Sequence, residues 1–195
     1  MPHTPPLIAA PLTGARTYQF GADIFDAVIG HSGAQRDMVL QLKVPAACAI
    51  ALMPGEAPPD ADLLCGTFRH AGRSGVERAW LRLVPDRPIT IRQPADDAAI
   101  TAGARFGAAA AELPAGGAGT FAQRAVLLAL GVVTRAQPGQ RWRIAEIACA
   151  RIPGEAAAVA VALRHHIGSR FWKFDVAADG DPVGSVILAR VPAPE

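Results

Sequence analysis

The sequence predicts an α+β fold in which two central helices are wrapped by antiparallel sheet. Residues 121–134 form a helical segment with apolar side chains all round, which is typical of a buried helix. Strand-like segments follow it, and turns rich in glycine and proline separate them. The same order, a short strand, a helix and then four strands, occurs in both halves of the chain.

Length and composition limit the class of protein. The chain has 195 residues, which fits one domain or two small repeats that share a core. Apolar residues make up 51% and charged residues 18%, which excludes bulk disorder. No apolar run approaches about 18 residues, so we expect no membrane span. The net charge of +2 does not indicate a nucleic-acid partner.

In the first half, residues 1–16 are rich in proline and read as an extended or disordered N-terminal arm. A short strand is expected at 17–20. Asp23 is placed to cap a short helix that Gly30 ends. The expected strands of this half are 37–44, which 46–53 either continues or follows as a second strand, then 63–70, 76–84 and 89–92.

In the second half, a strand at 104–113 precedes a Gly-rich loop, and Thr120 then caps the helix that runs to about Thr134. Asp179-Gly180-Asp181 is a tight hairpin signal. The expected strands after the helix are 141–152, 156–166, 170–177 and 185–191.

Short motifs suggest an internal repeat. Phe68-Arg69-His70 followed by Trp80 and Pro88 resembles Leu163-Arg164-His165 followed by Trp172 and Pro182, at nearly constant offsets. This predicts a duplicated domain, with repeats at 17–100 and 101–195. The alternative is a chance coincidence of Arg-His and Trp in two hairpins.

The motifs of the second half resemble those of the hot-dog fold superfamily. They are the helix start Thr120-Phe-Ala-Gln-Arg-Ala-Val-Leu-Leu, the strand and Pro-Gly turn from Ile144 to Glu155, and the strand and hairpin from Phe171 to Gly180. With the repeat, the whole chain resembles a compact double hot-dog. The resemblance implies a protein that handles acyl thioesters of coenzyme A or acyl carrier protein, as a 3-hydroxyacyl dehydratase or a thioesterase, without a cofactor.

The resemblance also suggests site residues. Gly119 stands four residues before Gln123, where a catalytic Glu would be expected, so the second half lacks that acid. The first half keeps carboxylates, and we predict Asp26 as acid or orienter and His31 as base.

Asp23, Gly119 and Thr120 are predicted to line the substrate site, because helix N-termini polarise a thioester carbonyl. The structural alternatives are a helix cap for Asp23, a solvated helix face for Asp26 and a surface loop for His31. The alternative function is a non-catalytic binding or assembly subunit.

The remaining signals are weak. Three separated cysteines without a Cys-x-x-Cys pair predict buried free thiols and no metal site, and hence a cytoplasmic protein. Phosphate-loop and serine-hydrolase motifs are missing from the sequence. Arg78, Trp80 and Arg82 share one face of a strand, which is typical of a solvated face or of a subunit interface, as in a homo-oligomer formed through an exposed sheet face. The alternative is a face that stacks on bases or binds an anion.

Overall fold

The computed structural model describes residues 5–55, 60–154 and 156–192. The chain divides into two compact units, Met1–Ala95 and Asp96–Glu195. Each unit contains one long helix and an antiparallel sheet.

The first unit has one helix, α1 (Gly21–Ser32), and one 3-10 turn at Ala61–Leu63. Its strands are β1 (Leu7–Ile8), β2 (Leu12–Thr13), β3 (Arg36–Leu42), β4 (Cys48–Pro54), β5 (Leu64–Gly72), β6 (Gly75–Pro88) and β7 (Arg92–Gln93). The sheet order is β1-β4-β6-β5-β3, with every neighbouring pair antiparallel, and β2 pairs separately with β7 in parallel.

Apolar alternation builds the core of the first unit. Ala79 and Leu81 are buried on one face of β6, as predicted, while Arg78 is exposed on the other. The helix adds Phe25 and Val28, both fully buried. Full burial of a side chain of this size contributes roughly 1.5–3 kcal/mol.

The N-terminal arm is extended, and its disordered alternative is wrong for residues 5–16. Leu7 and Ile8 pair with Ala51 and Ile50 of β4, and Ile8 is fully buried. The apolar side chains between the prolines explain this pairing, because they are buried in the first unit. Residues 1–4 lie outside the described part of the chain.

The start and end of α1 differ from the prediction. The helix begins at Gly21 with Phe20 as its N-cap, so Asp23 lies in the first turn. It continues through Gly30 and ends at Gly33, whose φ of 66° is the left-handed conformation of a C-terminal cap. One glycine within a helix costs only about 1 kcal/mol, which buried neighbours offset.

The segment 17–20 forms no strand. Instead the side chain of Gln19 is almost fully buried, and it holds the segment by hydrogen bonds where a strand would use its backbone. Its Oε1 accepts from the Ala10 amide and its Nε2 donates to the Cys48 carbonyl, both at 2.8 Å. These bonds connect the N-terminal arm to the segment that leads into α1.

The second unit has a short helix, α2 (Asp97–Ile100), and a long one, α3 (Phe121–Ala136). Its strands are β8 (Arg105–Phe106), β9 (Ala110–Leu113), β10 (Arg141–Arg151), β11 (Val159–Ile167), β12 (Phe171–Ala178) and β13 (Asp181–Val191). Their order is β8-β9-β11-β12-β13-β10, again antiparallel throughout.

The sequence predicts most of this second unit. The helix α3 is buried almost all round, and Trp172, Phe174 and Val176 share the buried face of β12. The hairpin at Asp179-Gly180 has φ values of 50° and 87°, as a two-residue loop of primed type requires. The predicted strand 104–113 is wrong in detail, because a turn closed by the Gly107 amide and the Ala110 carbonyl divides it into β8 and β9.

The two units differ in strand order. In the first, β6 lies between β4 and β5, whereas in the second the consecutive strands β11, β12 and β13 are neighbours. Phe68-Arg69-His70 therefore lies on β5 beside β3, and Leu163-Arg164-His165 lies on β11 beside β9. The motif match does not extend to equivalent sheet positions, so the internal repeat stays a prediction.

Among the helices of the described residues, none has both the length and the apolar character needed to cross a bilayer.

Candidate functional site

The start of α1 is the first candidate site. Phe20 at the N-cap makes no side-chain hydrogen bond to the helix, and the first backbone bond runs from the Ile24 amide to the Phe20 carbonyl at 3.1 Å. Helix geometry therefore leaves the amides of residues 21–23 without partners inside the helix. Gly21 and Ala22 are buried, whereas Asp23 is half-buried.

Asp23 lies at this helix start. Its Oδ2 is 3.4 Å from the Thr13 hydroxyl, and Arg16 stacks on the Phe20 ring with 4.5 Å between the guanidinium carbon and the ring centroid. A carboxylate in the first turn also interacts favourably with the helix dipole. Polar groups from β2 and α1 thus meet at this point, and Asp23 does not act as the N-cap.

Asp26 and His31 lie farther along the same helix. Asp26 is half-buried and follows Asp23 by three residues, so the two share a helix face. His31 is exposed in the last turn, and its Nδ1 is 2.8 Å from the Ala27 carbonyl. Five residues of helix correspond to about 140° of rotation and about 7.5 Å of rise, so α1 does not bring the predicted acid and base together.

The start of α3 is closed by its own side chains. The Thr120 hydroxyl accepts from the Gln123 amide at 3.1 Å, and the Gln123 side chain accepts from the Thr120 amide at 2.9 Å. This capping box confirms the predicted cap. Its hydrogen bonds occupy two backbone amides that would otherwise be available to a thioester carbonyl.

Gly119 adopts a backbone conformation that suits glycine. Its φ is 77°, and a Cβ there would lie 2.9 Å from both the Gln123 Oε1 and the Ile100 Cγ1. A catalytic Glu does not fit this position without a change of backbone, which agrees with the missing acid inferred from the sequence.

Sequence reasoning missed Arg124, a fully buried arginine on α3. Its Nη1 donates to the Ala157 carbonyl at 2.8 Å. The charged side chain thus connects the central helix to the segment before β11. The sequence signal for this residue is weak: an arginine that follows Gln123 in a helix whose remaining residues up to Val133 are apolar or glycine.

Sequence reasoning also missed a histidine–carboxylate pair on the β5–β6 hairpin. His70 and Glu77 are register partners, and the His70 Nε2 lies 3.6 Å from the Glu77 Oε2. The His70 Nδ1 is 3.2 Å from the Ala71 carbonyl, and the Glu77 side chain covers Gly72. The Gly72–Gly75 turn sets the register of this hairpin, and it is the sequence signal from which the pairing of His70 with Glu77 could have been predicted.

An open cavity of about 440 Å³ lies on the second unit. Its apolar wall is formed by Phe106, Ala110, Ala160, Ala162, Ala177 and Pro182. Arg105 and Glu112 form an ion pair of 2.9 Å at its rim, and Asp175 also lines it. It contains none of the residues predicted for the site.

Burial controls the chemistry of two cysteines. It raises the pKa of the Cys65 thiol to about 12 and that of Cys149 to about 11. Both are therefore protonated at neutral pH, while Cys48 is half-buried. Within the described residues, no group of three or more His, Cys, Asp and Glu side chains is placed to hold a metal ion.

Comparison with known proteins identifies the fold. No family model matches the sequence, and a search of curated proteins gives no match. Among solved structures, the pyran synthase domain from module nine of the sorangicin pathway is similar, with a TM-score of 0.50, 13% identity and coverage of 98% of this chain and 95% of that chain.

Two thioesterase structures are also similar. A putative thioesterase II from Thermobifida fusca YX has a TM-score of 0.48 and 12% identity, over 92% of this chain and 88% of that chain. An acyl-ACP thioesterase from Bacteroides thetaiotaomicron VPI-5482 has a TM-score of 0.47 and 10% identity, over 95% and 96%. At these identities the likeness concerns the fold alone. With a central helix and an antiparallel sheet in each unit, the chain has the fold of the hot-dog superfamily.

Proposed function

We propose that the protein acts on acyl thioesters of coenzyme A or acyl carrier protein. The observation that supports this most directly is the start of α1, where the side chain of the N-cap residue, Phe20, makes no hydrogen bond to the helix and Gly21 and Ala22 are buried. Backbone amides at such a helix start stabilise the negative charge that develops on a thioester oxygen during acyl transfer. Thr13 and Asp23 beside them would contact the polar part of the substrate.

Asp26 and His31 are the proposed groups for proton transfer. Asp26 is one turn beyond the first-turn amides, at a half-buried position where a carboxylate would orient a water or protonate a leaving hydroxyl. His31 would serve as base from the last turn of α1. Because they do not contact each other along the helix, each requires its own test.

A non-catalytic binding subunit is the second candidate function. The conformation of Gly119 favours it, because the second unit has no room for an acid at the position where the resemblance expects one. The capping box at Thr120 also favours a non-catalytic subunit, because it occupies backbone amide donors at the start of α3.

The test combines binding with turnover. Octanoyl-coenzyme A and 3-hydroxyoctanoyl-coenzyme A would be offered to the wild type and to Asp26→Asn and His31→Gln, with exposed Asp62→Asn and Asp86→Asn as controls. We expect the wild type to hydrolyse or dehydrate one thioester, with a loss of about 100-fold or more in kcat for Asp26→Asn and an unchanged rate for the controls.

The other results distinguish the two candidate functions. Binding without turnover favours the non-catalytic subunit. Turnover unaffected by Asp26→Asn and His31→Gln contradicts the proposed roles of these residues. If no thioester binds at all, the proposed function itself is wrong.

A further inference from the structure

The open cavity of about 440 Å³ on the second unit lies on the face of the sheet that α3 does not cover. The helix contacts β9 and β11. The buried residues Ala111, Val161 and Val176, which are in register on β9, β11 and β12, mark the face on which it packs. Because side chains alternate along a strand, the residues next to them point to the opposite face, where the cavity is formed.

The floor of the cavity consists of small side chains. Strand β11 runs through its centre, and cross-strand partners from β9 and β12 lie on either side. The exposed face of an antiparallel sheet usually carries polar side chains. Here methyl groups take their place, which leaves a depression in the sheet surface. The floor is formed by Ala110, Ala160, Ala162 and Ala177.

The wall of the cavity at the sheet edge is an aromatic ring with a fixed position. Phe106 packs against Gly131 of α3, where a Cβ would overlap the ring. The Arg135 guanidinium carbon lies 3.7 Å from the ring centroid. These contacts hold the ring in place, so a ligand would meet a preformed site and would lose little affinity to ordering it.

Two carboxylates border the alanine floor. Register places Glu112 beside Ala160 on β9 and Asp175 beside Ala162 on β12, so the floor lies between them. The charged residues that line the cavity are Arg105 and these two acids, one cation and two anions, with a net charge of −1. A positively charged ligand complements this lining.

The ion pairs of the two carboxylates leave room for a further donor. Glu112 pairs with Arg105 at 2.9 Å and Asp175 with Arg164 at 3.3 Å. All four side chains are more than half exposed, and ion pairs of this kind contribute little to stability. A carboxylate accepts several hydrogen bonds, and Asp175 has the longer of the two contacts.

We propose that this cavity binds a small organic amine, whose apolar body lies on the alanine floor and whose ammonium group contacts Asp175. Cavities of this volume hold ligands of drug size. Alanine side chains offer water no hydrogen bonds, so an apolar body gains affinity by displacing water from the floor. The inference goes beyond the proposed function, because the cavity contains none of the residues proposed for acyl transfer.

A second copy of the chain fits this face less well. A two-fold interface brings the same surface of both copies together, so one cavity would face the other. That arrangement encloses unfilled apolar space, whereas the centres of stable interfaces pack as densely as protein interiors. A small molecule fills the cavity without this cost.

The test uses three ligands that differ in charge. 4-Phenylbutylamine, 4-phenylbutan-1-ol and 4-phenylbutyrate would be titrated into isotope-labelled protein, with NMR detection of the backbone amides at 110–112, 160–162 and 175–177. We expect the amine to shift these amides and to bind about tenfold or more tightly than the alcohol, because a hydrogen bond to a charged group is stronger than a neutral one. The carboxylate should bind most weakly.

Two variants separate the roles of shape and charge. Ala162→Leu fills the floor and should weaken all three ligands about tenfold or more. Asp175→Asn should weaken the amine to the level of the alcohol and leave the alcohol unchanged. The controls are Ala150→Leu and Asp86→Asn, at exposed positions that do not line the cavity, and both should bind the amine as the wild type does.

The proposal is overturned if millimolar amine shifts none of the cavity amides, or if the alcohol binds as tightly as the amine. Amine binding that Ala162→Leu leaves unchanged would place the ligand elsewhere and also overturn it. So would a wild-type dimer in sedimentation that Ala162→Leu dissociates, because a second copy would then be the occupant. Turnover of acyl thioesters is measured separately, so failure of this site leaves the proposed function intact.

Discussion

At the scale of single residues, Gly119 shows how backbone conformation decides which chemistry a position can support. Its φ of 77° lies in the region that disfavours side chains, and a Cβ would press on Ile100 and Gln123. The backbone conformation at this position therefore disfavours an acid, and an acid could not be introduced by the exchange of one side chain alone.

We expect Gly119→Ala to lower the free energy of unfolding by about 1 to 3 kcal/mol, the usual cost of a strained backbone. Gly154→Ala is the matched control, because nothing lies within 4 Å of its Cβ position. Urea denaturation followed by circular dichroism measures both. Equal stability of the two variants would contradict the strain, and Gly119→Glu should add no activity.

The cysteines allow a second prediction at this scale. Burial raises the pKa of Cys65 to about 12 and of Cys149 to about 11, so both stay protonated at pH 8 and react slowly, since the thiolate is the nucleophile. Ellman's reagent should modify Cys48 alone in the folded protein and all three cysteines in denaturant. Rapid modification of Cys65 in the folded state would contradict its burial.

The raised pKa values of these two thiols also make the free energy of unfolding depend on pH. An unfolded thiol ionises near its ordinary value of 9.0, while the folded thiols do not. The stabilising contribution is thus present below pH 9 and is lost as the pH rises toward 11 and 12. A Cys65→Ala variant should lose less stability than the wild type over that interval.

At the scale of elements, the two long helices begin in different ways. The start of α3 is determined locally by Thr120 and Gln123, and its position is predictable from sequence. The start of α1 depends on burial of Phe20 and Ala22 and on the bonds of Gln19 to distant segments. Local reasoning therefore placed its cap three residues too late, at Asp23.

Removal of the α3 cap should lower the free energy of unfolding by a small amount. Thr120→Ala loses the bond to the Gln123 amide, so we expect a decrease of about 1 kcal/mol in the free energy of unfolding. Thr134→Ala, at an exposed position in the last turn of the same helix, should be neutral or slightly stabilising. Chemical denaturation of both variants tests this, and a larger loss for Thr134→Ala would argue against the cap.

At the scale of the whole molecule, the sequence predicts the fold class and most strands but not their order. Turn signals identify β11, β12 and β13, which pair as consecutive neighbours. The insertion of β6 between β4 and β5 depends on long-range pairing that no local pattern encodes.

The candidate site is predicted less well than the fold. Asp23 and Asp26 lie on one helix face, but His31 points elsewhere along α1. The cavity, the buried Arg124 and the His70–Glu77 pair all depend on contacts between strands or between helix and strand. Such contacts follow from register, which becomes known only with the fold.

The N-terminal arm should depend on Gln19. Gln19→Leu keeps the side-chain volume but leaves the Ala10 amide and the Cys48 carbonyl without their partner, so we expect a loss of about 2 to 4 kcal/mol. Hydrogen exchange at residues 7–13 should increase more than exchange in α3. Gln140→Leu, at an exposed position before β10, is the control. Unchanged protection of the arm in Gln19→Leu would contradict this role.

The pairing of β2 with β7 has a consequence for synthesis on the ribosome. Leu12 pairs with Arg92, and the Arg92 side chain also donates to the carbonyls of Gly14 and Arg16. These partners are about 80 residues apart, so at roughly 5–20 residues per second the arm must wait about 4–16 s for β7 to be made. During that interval the apolar side chains of the nascent arm lack part of their final cover, and a chaperone that binds short apolar segments would have its best opportunity there.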